Sequence, residues 1–367
     1  MKDKYIPTLL GIILAGGISM VAQADVTVFG HIDESVEFFD QDGGSDDSVF
    51  VCTTCSIGFK GKEDLGNGMK AIFKLDWQYD INSRNKGVSS KEVAAGAGDA
   101  ADVNGDGDKV SNSGKNGLFD RDQWLGLGGN FGELRVGTIS TVYKSHGAKI
   151  DPIYRTALQQ RDRGLQSNMH TGAGEEGQGR ATNTARYDSP SWNGLKLAAT
   201  FTLDSADTIE DDNPYGAGVS YENAGILLFA DYLTTDTGKD DDAYKFGGKY
   251  TMNNLAFMAQ YEVDGGLITS KAPGTSGDGA DTWFVGGTFT LGNSMIYGGY
   301  GQGDGGDALS DYNAFELVGT HSMSKRTKVY AGYSNIDCDD QDTNVCSSVG
   351  PKAGEDEQWN FGMKHTF

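Results

Sequence analysis

The chain has 367 residues, with 52 Asp and Glu against 30 Lys and Arg, a formal net charge of −22, and 54 glycines beside 6 prolines. That acidity argues against nucleic acid as a partner. Beyond the first 24 residues no apolar run nears the roughly 20 residues of a spanning helix, the longest being on the scale of Gly225–Ala230. A barrel strand shows lipid only every second residue, so a mean hydropathy of −0.44 is compatible with a membrane barrel that has a wet lumen and polar loops.

In chain order, Lys2 and Lys4 give a basic start, Ile6 to Val21 is mostly apolar, and Ala22-Gln23-Ala24 is a small-x-small cleavage site. Residues 1–24 read as a cleaved secretory signal peptide and 25–367 as the mature domain. A membrane anchor is the alternative, disfavoured by a short apolar core that glycines interrupt.

The mature part alternates short strands with turns and shows no long helical period. The clearest strand is Met69–Asp80: Ala71, Phe73, Leu75, Trp77 and Tyr79 share one face and Lys70, Lys74, Asp76, Gln78 and Asp80 the other, with Ile72 the single exception. Sixteen strands are expected, at about 25–39, 56–63, 69–80, 119–128, 133–140, 183–188, 195–204, 215–222, 225–234, 243–251, 255–263, 282–291, 294–302, 313–322, 327–336 and 357–367. The connections alternate short, as at Asn223–Ala224 or Gly292–Asn293, and long, as at 41–55, 81–118 and 141–182. This rhythm predicts an all-β, sixteen-stranded antiparallel transmembrane barrel with tight periplasmic turns, long external loops and both termini periplasmic. A soluble sandwich has no reason to alternate so regularly. Tyr79, Tyr187, Tyr221, Tyr250, Tyr261 and Trp283 fall near strand ends, where aromatic girdles sit.

Cys52, Cys55, Cys338 and Cys346 form an even set in an exported chain, which points to disulfides over redox chemistry or zinc. Four cysteines allow three pairings; Cys338–Cys346 with Cys52–Cys55 is the favoured one, and the loops holding the two pairs become neighbours when the barrel closes. Asp102-Val103-Asn104-Gly105-Asp106-Gly107-Asp108 has the oxygen spacing of a calcium loop's first half. Ser113 stands where the acidic closing ligand belongs and no helices flank the segment, so Asp102, Asn104, Asp106 and Asp108 make at most a partial loop for Ca2+ or another divalent cation. No cofactor is required. Enzyme signals are poor: the five histidines are scattered, and Gly301-Gln302-Gly303-Asp304-Gly305-Gly306 joins two strands with no helix behind it.

Several segments resemble the general Gram-negative trimeric porins, particularly the neisserial and related proteobacterial type. They are Ala24-Asp25-Val26-Thr27-Val28-Phe29-Gly30, the stretch from Gly58 to Gly68, Phe131-Gly132-Glu133-Leu134-Arg135-Val136-Gly137, Arg186-Tyr187-Asp188-Ser189-Pro190, the hairpin around Ser324-Lys325-Arg326-Thr327, and the end Gly362-Met363-Lys364-His365-Thr366-Phe367. They follow the family order over nearly the whole mature chain. The resemblance implies a homotrimeric outer-membrane channel for passive diffusion of small hydrophilic solutes, not an enzyme. It also implies contacts with outer-membrane lipids and lipopolysaccharide, and insertion by the barrel-assembly machinery with Phe367 ending the signal. It assigns the constriction to 141–182, folded into the barrel, whose charges include Lys144, Asp151, Arg155, Arg161, Asp162 and Arg163. Period 2 adds Lys60, Lys74, Arg135, Arg186 and Arg121 on the wall, giving weak charge selectivity. Ser56 departs from the family, which often has a lumen-facing Arg there. A barrel acting mainly in adhesion or surface enzymology is the competing reading, and single-channel conductance separates the two.

Overall fold

The computed structural model describes residues 25–41, 47–82, 119–167, 173–174, 179–203, 213–234, 242–264, 281–304, 311–338 and 355–367. In chain order the elements are β1 (Asp25–Gln41), β2 (Asp47–Cys52), β3 (Ser56–Gly66), β4 (Met69–Gln78), β5 (Phe119–Gly129), β6 (Gly132–Ser140), α1 (Val142–Ile150), a 3-10 turn (Gln160–Asp162), β7 (Ala173–Gly174), β8 (Arg180–Asp188), β9 (Leu195–Thr202), β10 (Tyr215–Asn223), β11 (Ile226–Thr234), β12 (Asp242–Met252), β13 (Leu255–Asp264), β14 (Asp281–Leu291), β15 (Ser294–Asp304), β16 (Tyr312–Ser322), β17 (Thr327–Cys338) and β18 (Glu355–Thr366).

Each wall strand pairs antiparallel with its sequence neighbours, and β1 also pairs with β18, so the sheet closes. β2 and β3 both pair with β1, on its upper and lower halves, and are one wall strand with a break. β7 is a two-residue strand inside the long connection after β6 and pairs parallel with β8. The wall thus has sixteen strands, as the alternation of connections requires. Closure leaves the wall strands flanked on both sides, apart from the β2 stretch, whose register partner among the described residues is β1; a membrane barrel needs such pairing because lipid offers no hydrogen bonds.

The expected long first loop is not one. The chain returns into the sheet at Asp47 instead of Ser56. Glu34 pairs with Cys52 and His31 with Ser56, so three residues on one strand face two on the other. A disulfide joins Cys52 and Cys55 across this bulge, with the Cα atoms 5.7 Å apart. The extra residue flips the facing parity, so Phe50 points outward above it and Ile57 and Phe59 below it. Cys346 lies outside the described residues, and with it the second pairing; residues 1–24 and the loop of Asp102, Asn104, Asp106 and Asp108 lie outside them as well.

Outward positions are apolar and exposed, as in Leu125, Leu127, Leu134, Val136, Phe246, Phe257, Val285 and Phe361. Toward the long-loop end, outward tyrosines hydrogen-bond polar groups at the rim: Tyr232 to Asp242 (2.6 Å), Tyr261 to Asp281 (2.6 Å), Tyr300 to Asn313 (2.9 Å) and Tyr333 to Glu357 (2.8 Å). An amphipathic ring with one end in lipid and the other at a wet rim explains the row.

Candidate functional site: an infolded loop facing a basic wall

The loop after β6 turns into the barrel instead of rising from it. Thr141 caps α1, its hydroxyl accepting from the Lys144 amide at 3.3 Å. Ile150, Ile153, Leu158 and Leu165 then bury themselves against Leu227, Phe229, Met258, Phe284, Tyr297, Val318 and Ile336, inward residues of β11, β13, β14, β15, β16 and β17. Each such side chain stabilises the docked loop by on the order of 2 kcal/mol.

Glycines in the wall make room for it. A Cβ at Gly218 would lie 2.4 Å from a Val142 methyl, and one at Gly332 would lie 2.5 Å from a Leu158 methyl. Polar anchors run along the same side. His146 Nδ1 meets Asp231 at 2.6 Å, and the Tyr143 hydroxyl donates to Glu262 at 2.8 Å. Lys245 donates to the Tyr143 carbonyl, Gln160 to the Tyr297 hydroxyl (2.8 Å), Arg163 to Ser334 (2.7 Å), and Lys364 to the Tyr154 carbonyl (2.8 Å).

The opposite wall is basic. Cross-strand registers place Lys60 beside Lys74 and Arg135 beside Arg186, all facing inward. Arg121 and Asp122 both reach the lumen because β5 carries an extra residue opposite Asp76. Lys74 meets Asp122 at 2.8 Å and Asp76 at 3.3 Å; Arg180 meets Asp122 at 3.1 Å. Arg186 grips Asp188 with two bonds of 2.9 Å, and Arg135 bonds the same carboxylate. The ammonium groups of Lys60 and Lys74 lie 5.4 and 5.5 Å from the centre of the Phe29 ring.

From the loop side come Arg155 and Arg161, with guanidinium carbons 5.6 and 5.3 Å from the Tyr154 ring centre. Arg155 takes a left-handed backbone, φ 60°, and lies within electrostatic reach of Arg121. Burial alone would raise the Tyr154 phenol, but Arg161, Arg155 and Arg121 outweigh it and pull its pKa below the ordinary value. Lys144 is buried, and desolvation together with Arg180 and Arg161 holds its amine well below its usual range. Asp162 stays partly exposed beside Arg161, at 3.7 Å. The described residues thus put basic groups on both the wall and the loop.

Protein-family comparison matches residues 11–341 to the Gram-negative porins. The chain belongs to that family. It is 27% identical over 353 residues to the major outer membrane protein P.IB of Neisseria meningitidis serogroup B, covering 89% of this chain and 92% of that protein. Among solved structures it resembles the anion-selective porin from Comamonas acidovorans, with a TM-score of 0.69, 20% identity and 94% and 100% of the two chains covered. It also resembles a Vibrio cholerae outer membrane protein, OmpT, in a trimer form, with a TM-score of 0.61, 11% identity and 94% and 99% covered. This porin is an outer-membrane channel for passive diffusion, not an enzyme.

Of the residues singled out from this porin's sequence, Lys60, Lys74, Arg121, Arg135, Arg186, Arg155, Arg161 and Asp162 gather around the open side of the loop. Arg163 and Asp151 instead turn to the docked side, Arg163 donating to Ser334 of β17 and Asp151 accepting from the Ile153 and Gln160 amides. Sequence reasoning missed Asp122, which the bulge turns inward, and took Arg180 for a loop residue although it opens β8. It also missed the apolar socket, for which a signal existed: Ile226–Thr234 reads ILLFADYLT, apolar on both faces, where a strand between lipid and water should alternate. Ile72, the exception in β4, is an inward residue buried next to Gly126. Ser56, in place of the family's Arg, accepts or donates a 3.1 Å bond with His31.

Asp151 carries a pH dependence. Burial pushes its carboxyl up to about 7, against the Ile153 and Gln160 amides that favour the ionised form. Because the folded value exceeds the unfolded one of about 4, the neutral form favours the docked loop. That contribution is complete below about pH 4 and is lost as pH rises through about 7, by at most about 4 kcal/mol. Asp151→Asn should keep the loop equally protected from pH 4 to 8. Hydrogen exchange of 150–160, corrected for intrinsic rates, should show protection falling with pH in the parent and flat in the variant.

Proposed function

We propose that the infolded loop and the basic wall form the constriction of this porin and make it weakly anion-selective. The carrying observation is that, among the described residues, Lys60, Lys74, Arg121, Arg135, Arg155, Arg161, Arg180 and Arg186 outnumber the carboxylates paired with them, Asp76, Asp122, Asp162 and Asp188. Uncompensated positive charge in a narrow, poorly solvated gap attracts anions and repels cations. Acidic residues of the outer loops and rim oppose this by concentrating cations at the mouth. The Debye length is about 10 Å at 0.1 M salt and about 3 Å at 1 M, so the wide rim loses influence first. Selectivity should therefore move toward anions as salt rises. Zero-current potentials across planar bilayers at several KCl concentrations test this; strong cation selectivity persisting at 1 M salt would refute the assignment.

The same reading makes the protein a homotrimer, as family resemblance implies and as the trimer form of the Vibrio protein supports. Residues 1–24 are removed on export, both ends of the mature chain face the periplasm, and lipopolysaccharide surrounds the outer leaflet. Phe367 is the outward end of the insertion signal: its ring lies against Gly30, and its amide and carbonyl pair with that residue. Deleting Phe367 should lower the yield of heat-modifiable trimer in outer-membrane fractions several-fold, with precursor accumulating before insertion; an unchanged yield would remove Phe367 from that role.

A further inference from the structure

The last wall strand reaches into the lumen and holds the tip of the infolded loop. Lys364 of β18 donates to two successive main-chain carbonyls, that of Tyr154 at 2.8 Å and that of Arg155 at 3.0 Å. Its neighbours in the sheet fix where it stands. Asp33 of β1 and Lys328 of β17 lie opposite it in the register, and the Tyr330 hydroxyl donates to Asp33 at 2.7 Å. Asp33 supplies opposite charge from the wall, and the loop carbonyls accept from the ammonium on the lumen side.

The two carbonyls belong to the turn that aims Arg155. Arg155 has φ 60°, a left-handed backbone that a residue with a Cβ keeps only where its surroundings hold it there. Other contacts of the turn lie on either side. The Arg155 amide donates to Gln159 Oε1 at 3.1 Å, the Thr156 hydroxyl donates to the Ile153 carbonyl at 2.7 Å, and Leu158 is buried against Gly332 of β17. Ile153 and Leu158 both enter the apolar socket, and the left-handed residue between them turns the chain. The Arg155 guanidinium is thereby placed by the Tyr154 ring, within electrostatic reach of Arg121. Because Lys364 bonds main-chain oxygens, it sets the direction of the Arg155 peptide itself. A lysine that bonds neutral carbonyls also keeps its own charge.

We infer that Lys364 is a positioning residue for Arg155: its two hydrogen bonds hold the left-handed turn, and the turn holds the guanidinium at the gap. The inference rests on the constriction reading above and deepens it by naming a wall residue that acts through a loop residue. Without those two donors the Arg155 peptide relaxes toward the ordinary right-handed or extended backbone, and the guanidinium leaves the gap.

The test is a double-mutant cycle on the full-length protein in planar bilayers, joining Lys364→Met with Arg155→Gln. Methionine keeps most of the apolar stem and removes the donors. Zero-current potentials across a KCl gradient give the chloride-to-potassium permeability ratio. Each single variant should lower that ratio about twofold, and the double variant should also stop at about twofold instead of reaching about fourfold. Lys249→Met is the control. Lys249 donates to the Lys149 carbonyl at 3.0 Å, ahead of the turn, so its effect should be the same with and without Arg155. Any variant that fails to insert in cells is refolded in detergent before reconstitution, which completes the cycle. If Lys364→Met lowers the ratio equally on both backgrounds, Lys364 acts as a lumen charge of its own and the positioning role is overturned. The sign of selectivity is a separate reading. A parent that prefers cations refutes the anion-selective constriction, and the coupling between positions 364 and 155 still decides the role of Lys364.

Discussion

Replacing Arg121 and Arg155 together by glutamate is expected to turn the channel from weak anion preference to clear cation preference. The two side chains approach the gap from opposite sides, one from β5 and one from the loop, and lie within electrostatic reach of each other. Two unit charges about 7 Å apart interact by about 1 kcal/mol at an effective dielectric of about 40. Reversing one such charge therefore changes the energy of a passing ion by about 2 kcal/mol before screening. Salt at 0.1 M reduces this, and a swing of about tenfold in the chloride-to-potassium permeability ratio is expected, where tenfold is about 1.4 kcal/mol. Zero-current potentials across a KCl gradient measure it directly. Arg163→Glu is the control. Arg163 is buried and donates to Ser334, so its replacement should damage loop docking without inverting the sign. An unchanged sign in the double variant would place the selective charges elsewhere.

Asp231→Ala is expected to release the loop and raise single-channel conductance. Asp231 is fully buried, bonded to His146 of α1 at 2.6 Å and 3.6 Å from the Lys245 ammonium. Lys245 in turn holds the Tyr143 carbonyl. Removing one member of a buried charged set costs about 3–5 kcal/mol, because the remaining charge has lost its compensation. That is comparable with what two of the four buried apolar anchors contribute at about 2 kcal/mol each. The barrel wall should persist, since its ladders do not depend on this side chain, and the strand signature in far-ultraviolet circular dichroism should be unchanged. Conductance should rise and its fluctuations increase as the loop samples undocked positions. Asp231→Asn, which still accepts from His146, should show a smaller effect. Parent-like conductance in the alanine variant would show that the apolar contacts suffice.

The sequence determined the wall. Period-2 alternation in segments such as Leu195–Thr202, and tight turns such as Asn223 to Ile226 between long connections, imposed sixteen antiparallel strands, because lipid on one side and water on the other enforce the alternation. It also supplied most of the basic residues, since Lys60, Lys74, Arg135 and Arg186 stand at inward positions of regular strands. Three things were decided only in three dimensions. The bulge opposite Asp76 put Asp122 and Arg121 on the same side, and one inserted residue shifts every later facing by one, which no local pattern announces. The break at Cys52–Cys55 turned an expected loop into wall. The docking of 141–167 separated charges that composition had pooled, turning Asp151 and Arg163 to the docked side and Arg155 and Arg161 to the Tyr154 ring, with Arg155 the least buried of the four. Which charges face the gap depends on which apolar residues find the socket, and that socket is built from β11, β13, β14, β15, β16 and β17, far along the chain from the loop that fills it. A contact between residues a hundred positions apart leaves its mark in the sequence only as a strand that fails to alternate.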